Sequence, residues 1–490
     1  MNQIKILRTG TYFTILLLIL NSCRINIREQ DEYYCYLHSG EPTQTSVVLQ
    51  ARLQKSDTLI DDDIQGIEGY IRFCITRDTD SKSFMESNFI HTSQINDFIG
   101  RYRFTGLRPG QEYFYQIKYG RDSTNLTTSK WNKLKTLNSI SADKGVSFGV
   151  VTGLNYHAFR TWNYPGSSIQ EKNDLVKSGF PVFHAISSIH PDFLVVNGNS
   201  VYYDIPVEFP ALTRENMRKK WHWLASMQTY ALMVSKIPLF WVLNDHDYLN
   251  SLYPNKSDNS SDPSVLQENC TGADLFYEQV PFVANETESM PAYRTYRLNK
   301  DVQIWMLEGR SYKKQNASPD KTVNSIFQTE QINWLKTTLK QSTSSFKLVI
   351  SPTPLVGPVE SGINANQISL VEFRSERDSL FQWLKNNGFR NNGLYFICGD
   401  VKWQYHSIDP AGFEEFSCGP AISADFQLGK APGDTLSTDP GGTIVQPYIQ
   451  NLPSGGFLTV NSDRDEFNSP VLLFRFLNEN KKLLYAVNKY

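Results

Sequence analysis

Ile237-Pro238-Leu239-Phe240-Trp241-Val242-Leu243-Asn244-Asp245-His246-Asp247-Tyr248 is an apolar run that breaks abruptly into side chains able to bind metal or carry protons. Apolar residues without alternation read as a strand covered on both faces, as in α/β architecture. In open α/β sheets, chemistry collects beyond the carboxyl ends of the strands. The stretch therefore predicts a buried strand that delivers Asn244, Asp245, His246 and Asp247 to a rim. The alternative is an ordinary polar turn, since the same residue types are common turn formers.

The pattern recurs on both sides of this stretch. Strand candidates at 146–152, 192–197, 301–308, 346–350 and 394–399 alternate with helical periodicity at 212–234, 329–342 and 372–386. Such alternation predicts a central sheet covered by helices on both faces. The strand ends bring Thr152-Gly153, Gly198-Asn199-Ser200-Val201-Tyr202, Glu308-Gly309-Arg310, Ser351-Pro352-Thr353-Pro354 and Gly399-Asp400-Val401-Lys402-Trp403-Gln404-Tyr405-His406 to the rim shared with Asp245. Two neighbouring cations require hard oxygen ligands, a bridging carboxylate and a His or Arg facing the phosphoryl oxygens. The rim supplies those residue types, so metal-assisted phosphoryl or acyl hydrolysis is the chemistry it suggests.

Upstream, residues 32–140 read as an immunoglobulin-like or fibronectin-like sandwich of short strands near 33–38, 46–53, 69–76, 98–104 and 112–119. The turn Gly106-Leu107-Arg108-Pro109-Gly110, followed by alternating aromatics, supports it. No catalytic grouping stands out there. A Thr- and Lys-rich connector spans 123–141, and the α/β domain is expected over 141–490, with its tail from 456 alternating again and completing a sheet edge.

The chain of 490 residues carries a formal net charge of −2 with mixed signs, which gives no attraction to nucleic acid. At the start, Lys5 and Arg8 precede an apolar run over 12–20, too short to span a bilayer as a mature helix. Leu20-Asn21-Ser22-Cys23 follows and resembles a bacterial lipoprotein box. That likeness implies removal of 1–22, acylation of Cys23, a tether over 23–31 and attachment to a membrane of the cell envelope. A plain secretory signal is the alternative. The other cysteines are Cys35, Cys74, Cys270, Cys398 and Cys418, an odd number, with Cys35 and Cys74 a candidate pair. A monomer is expected.

The segments 244–248, Glu308-Gly309-Arg310, 351–358 and 399–420 together resemble the alkaline phosphatase D (PhoD) family of metallophosphatases. Trp403-Gln404-Tyr405-His406-Ser407-Ile408-Asp409-Pro410, continued by Glu415-Phe416-Ser417-Cys418-Gly419-Pro420, is the most specific part. The resemblance implies a four-layer α/β metallophosphatase domain behind a sandwich module. It also implies hydrolysis of a small phosphate ester by a metal-activated water, with divalent or trivalent ions such as calcium, iron or zinc. At the matching positions it implies a metal ligand at Asp245, a phosphate or leaving-group contact at His246 and a ligand of the trivalent metal at Tyr202. Asp400 and His406 are further ligand candidates, and Arg310 a substrate contact.

Departures from the family pattern accompany the matches. Gly153 stands where the family has a cysteine ligand, Asn199 where it has a bridging Asp, and Lys402 where a His follows the second Gly-Asp. Ala365-Asn366-Gln367 replaces an Asp-Asn-His metal segment, and Asn244 precedes the Asp-His pair. An ammonium in a cation site is repulsive, and an Asn in place of a bridging carboxylate loses one negative charge. Asn199 is thus a weakened metal position, while Asn244 and Lys402 become substrate-binding candidates. Two functions stay open: a phosphomonoesterase or phosphodiesterase with a reduced metal site, and a pseudophosphatase that binds a phosphorylated or other anionic ligand without turnover.

Overall fold

Leu239–Val242 is a strand with all four residues buried. Leu239 and Trp241 face one core while Phe240 and Val242 face another, so the run needs no polar side. The computed structural model describes residues 33–80, 83–163, 168–248, 272–282, 293–313, 324–361 and 373–490. Cys23 with its leader, Cys270 and Ala365-Asn366-Gln367 lie outside the described residues.

Among the described residues the strand belongs to a nine-stranded sheet. It lies parallel to Phe193–Asn197 on one side and to Tyr34–Gly40 on the other. Beyond Phe193–Asn197 come Ser147–Val151 and then the tail strands Gly456–Arg464, Pro470–Asn478 and Leu483–Lys489. The last of these has no apolar periodicity to announce it, because its residues are partly or fully exposed at the sheet edge. Beyond Tyr34–Gly40 come Val47–Gln54 and Ile99–Phe104.

A second sheet of seven strands runs in the order Arg294–Arg297, Val302–Met306, Phe346–Ser351, Leu394–Cys398, Glu414–Cys418, Gln404–Ile408 and Val445–Ile449. The two sheets face each other across Phe148, Val195, Phe240 and Val242 on one side and Ile304, Leu348, Ile350 and Ile397 on the other. Helices Pro181–Ile189, Arg214–Ala225 and Gln228–Val234 cover the outer face of the first sheet. Gln328–Gln341 and Arg374–Asn386 cover that of the second. The result is helix, sheet, sheet, helix. Each fully buried Val, Leu, Ile or Phe contributes roughly 1.5–3 kcal/mol, an upper estimate.

The helix expected over 212–234 is two helices. Met227 between them has extended backbone (φ −77°, ψ 118°), and the Ser226 hydroxyl donates to the Trp223 carbonyl, bonding that competes with helix continuation.

The N-terminal part is β-rich. A six-stranded sheet built on Gly69–Thr76 and Glu112–Gly120 packs on Tyr34–Gly40, Val47–Gln54 and Ile99–Phe104 through Leu49, Ile71, Phe73, Tyr115 and Ile117. Strands from both sides of position 140 share the nine-stranded sheet. The junction is tight: a Cβ on Gly40 would lie 2.5 Å from Pro281 Cγ and 2.9 Å from the Leu239 carbonyl oxygen. Next to it the buried Glu41 carboxylate accepts from Arg294 Nη2 at 2.5 Å and Nε at 3.1 Å, and from the Tyr296 hydroxyl. Cys35 and Cys74 are free thiols, which corrects the candidate pairing. Cys74 Sγ donates instead to Glu86 at 3.3 Å, on the neighbouring strand of its own sheet.

Candidate active site

Gly198 and Asn199, just past Phe193–Asn197, both adopt positive φ (80° and 54°) and turn the chain sharply inward. Only glycine fits at 198, because a Cβ there would sit 2.4 Å from Asn244 Cβ. Asn199 tolerates the left-handed region better than most residues, and such strain is typical of functional loops. The turn aims the amides of Ser200 and Val201 at Asp247 Oδ1, at 2.8 and 2.9 Å. Asp247 Oδ2 accepts from the Asn244 amide at 3.2 Å. Burial pushes the Asp247 carboxyl up to about 7, while its backbone N–H donors pull the other way. Asp247 thereby joins two strand ends and faces the protein, not a ligand.

Asn244 is fully buried. Its Nδ2 donates to Asp400 Oδ1 at 3.2 Å, and its Oδ1 accepts from Arg310 Nε at 2.8 Å and from Arg310 Nη2. Asn199 Nδ2 also donates to Asp400 Oδ1, at 3.4 Å. Asp400 has φ 71°, the second strained residue of the rim. Arg310 is 2 % exposed, with its guanidinium on Asn244. Its backbone N–H donates to Glu308 Oε1 at 2.6 Å.

His246 Nδ1 lies 2.7 Å from Asp204 Oδ1, and its ring stacks on Tyr202 with centroids 4.0 Å apart. Burial disfavours the imidazolium, but the Asp245 and Asp204 charges outweigh it and hold His246 up to about 9. For Asp245, burial pushes upward and loses to the His246 and Arg310 charges, so its carboxyl stays below the usual range.

A third group surrounds Asp425. Its Oδ1 lies 3.2 Å from Lys402 Nζ and accepts from Asn155 Nδ2 at 3.3 Å, while its Oδ2 accepts from the Tyr202 hydroxyl at 3.2 Å. Burial, then the Asp425, Asp245 and Asp204 charges, push the Tyr202 phenol well above its ordinary range. Gly153 faces this corner: a Cβ there would be 3.6 Å from the Tyr202 oxygen and 3.7 Å from Asp425 Oδ2.

Asn199, Tyr202, Asn244, Asp245, His246, Arg310, Asp400 and Lys402 are thus linked by the contacts above. His406 is not among them. It lies within the second sheet, with Nε2 on Glu414 at 2.7 Å, Nδ1 on the Tyr485 hydroxyl at 3.1 Å and its ring stacked on Phe416 at 4.4 Å. Asp204, Asp425 and Asn155 were not anticipated. Asp204 follows Tyr202 by two residues, a proximity that could have flagged it, whereas Asp425 and Asn155 carry no local sequence signal.

No set of three or more His, Cys, Asp and Glu side chains suited to a metal ion occurs among the described residues. Around Asp425 the neighbours are hydrogen donors (ammonium, phenol and amide), so this corner does not fit a cation. Around Asp400 the balance differs. Asn199 Oδ1 is buried without a hydrogen-bond partner. The carboxylates of Asp204, Asp245, Asp400 and Asp425 also outnumber the charges of His246, Arg310 and Lys402. Asp204 and Asp425 are taken up by His246 and Lys402, so oxygen atoms of the kind a hard cation prefers remain at Asn199, Asp245 and Asp400.

The fold and site can be compared with known proteins. A solved structure described as the structure of PhoD superposes with a TM-score of 0.66 at 16 % identity, covering 92 % of this chain and 91 % of that one. Purple acid phosphatase PPD1 from yellow lupin (Lupinus luteus) seeds superposes with a TM-score of 0.57 at 10 % identity, covering 93 % and 74 %. No curated protein matches. The sequence model of the family described as PhoD-like phosphatase matches residues 172–452, and that of the PhoD-like phosphatase N-terminal domain matches 27–138. With more than half of its length matched by the first of these alone, the chain belongs to the PhoD-like phosphatase family of phosphoesterases.

Proposed function

We propose that the chain is a phosphoesterase of reduced metal content, acting on a small phosphate ester with one cation in place of two. The observation that carries this reading is the partnerless, buried Asn199 Oδ1 next to Asp400. A divalent cation held by Asn199 Oδ1, Asp400 and Asp245 would polarise a phosphoryl oxygen and acidify a bound water. His246 is the proton carrier. Asp204 engages Nδ1, which fixes the ring and leaves Nε2 for a phosphoryl or leaving-group oxygen. Arg310 and Asn244 position Asp400, and Asp247 holds the Asn199 and Asp245 loops together.

The test is metal content of the purified protein by elemental analysis, alongside hydrolysis of aryl phosphate mono- and diesters with added calcium, iron, zinc or manganese. One equivalent of metal and a metal-dependent rate are expected. Absence of bound metal together with no rate above buffer overturns the reading.

A second reading, a pseudophosphatase that binds a phosphorylated or anionic ligand, is favoured by the two amide N–H groups already on Asp400 Oδ1. Calorimetric binding of an aryl phosphate without turnover would select it.

The same proposal places the protein in the bacterial cell envelope as a monomeric lipoprotein anchored at Cys23, with an immunoglobulin-like sandwich before the catalytic domain. No helix among the described residues is long and apolar enough to cross a membrane. Mass spectrometry of the mature N-terminus tests the anchor: an unmodified Cys23 excludes it.

A further inference from the structure

We infer that the ammonium of Lys402, seated on Asp425, is a built-in replacement for one metal ion of a two-cation phosphoesterase centre. This rests on the phosphoesterase reading but concerns a different corner from Asn199 and Asp400. Three observations carry it.

The first is the direction of every hydrogen bond at Asp425. Lys402 Nζ stands 3.2 Å from Oδ1, and the Tyr202 hydroxyl places its proton on Oδ2. A cation in this corner would need the phenol oxygen deprotonated and a carboxylate lone pair facing it. Here both are used by protons.

The second is Asn155. Its Oδ1 accepts from the Ala158 amide at 3.0 Å and caps the helix Tyr156–Thr161. The cap fixes the amide orientation, so only the Nδ2 donor is turned toward Asp425, at 3.3 Å. Reversing the amide to offer an oxygen would uncap the helix.

The third is Gly153: a side chain at this position would begin within 3.7 Å of the Tyr202 and Asp425 oxygens, and glycine brings no donor atom there. Two residues beyond Asp425, the Gln427 amide donates to the Lys402 carbonyl at 3.0 Å. The ammonium and its carboxylate therefore belong to one local structure. A second positive ion added here would meet Lys402 head on, with unfavourable Coulomb energy and no anionic ligand gained.

The experiment equilibrates the full-length protein and variants with zinc, manganese or iron(III), removes unbound metal and counts ions per chain by elemental analysis, with thermal melting to confirm folding. The wild type is expected to hold no more than one ion, and Gly153→Cys with Lys402→His to hold one more than the wild type. Lys402→Met, which leaves the Asp425 charge bare, should bind zinc at least ten-fold more tightly by calorimetry than the wild type, whereas Lys402→Arg should not. Two ions in the wild type overturn the inference. So does a folded double variant that binds no more than the wild type; if that variant does not fold, unchanged zinc affinity in Lys402→Met does the same. A wild type with no metal and a double variant with one would uphold the inference while removing the one-cation reading of Asn199 and Asp400.

Discussion

The imidazole of His246 lies on the phenol ring of Tyr202, with centroids 4.0 Å apart and 28° between the planes. Tyr202 is anchored on Asp425 and His246 on Asp204, so the stacked pair joins the Lys402 corner to the residue proposed to carry the proton. Removing the imidazole should therefore abolish turnover without unfolding the chain. His246→Ala is expected to lower kcat for an aryl phosphate at least 100-fold with a melting temperature within a few degrees of wild type. Unchanged kcat would exclude His246 from the chemistry.

The charge on His246 links stability to pH. Its folded value, raised to about 9 from 6.5, means that stabilisation from this group is fully present below about 6.5 and is lost as pH rises through about 9. Denaturant melts in the presence of chelator should lose about 3 kcal/mol across that window. Asp204→Asn should flatten the profile. A wild-type curve that does not fall between those values would show that the imidazolium is not held by its carboxylates.

Asp247 accepts three backbone N–H groups with two oxygens. Asp247→Asn keeps the size but offers one acceptor and turns an NH₂ toward a donor. A loss of about 1–3 kcal/mol in unfolding free energy is expected from urea titration, the cost of leaving a buried donor unmet. Wild-type stability in the variant would mean the Asn199 loop is not held by this carboxylate.

Glu41 and Arg294 form a buried pair beside the strand junction, with side-chain exposures of 2 % and 7 %. Glu41→Ala strands the guanidinium and should cost about 3–5 kcal/mol, visible as a lower urea midpoint. A shift under about 1 kcal/mol would indicate that water reaches Arg294 and compensates it.

Arg310→Lys replaces a two-point donor on Asn244 with a single one. Because Arg310 acts through Asn244 on Asp400, the variant should weaken metal affinity about ten-fold, roughly 1.4 kcal/mol, and affect KM for the ester far less. A change confined to KM would place Arg310 on the substrate instead.

Sequence patterning made the strand Leu239–Val242 and its neighbours legible because burial on both faces leaves a run without polar interruption. The rim was legible at Asn244, Asp245, His246, Tyr202 and Asp400 because several buried strands end in polar residues in the same way, which a single turn would not do. Lys402 could be singled out by its place after Gly399-Asp400, but its partner could not. Asp425 and Asn155 reach the site from a loop and a helix cap, and side chains delivered across long sequence separations leave no periodic trace. His406 was misleading for a related reason. It occupies an inward position of a strand in the second sheet, where a histidine satisfied by Glu414 and Tyr485 is indistinguishable in sequence from one awaiting a ligand. Tyr34–Gly40 was legible as a strand, but its partner Leu239–Val242 was not, because parallel pairing needs no local turn to announce it.

That last pairing has a consequence for biogenesis. Gly40 finds its register partner at Leu239, roughly 200 residues later in the chain. At ribosomal rates of about 5–20 residues per second the early strands wait about 10–40 s for the segment that closes the sheet beside them. During that interval the Gly40 end of the strand lacks its partner and is a template for pairing with a second nascent chain. Fragments ending near residue 140, which lack Leu239 altogether, are therefore expected to aggregate more readily than the whole chain.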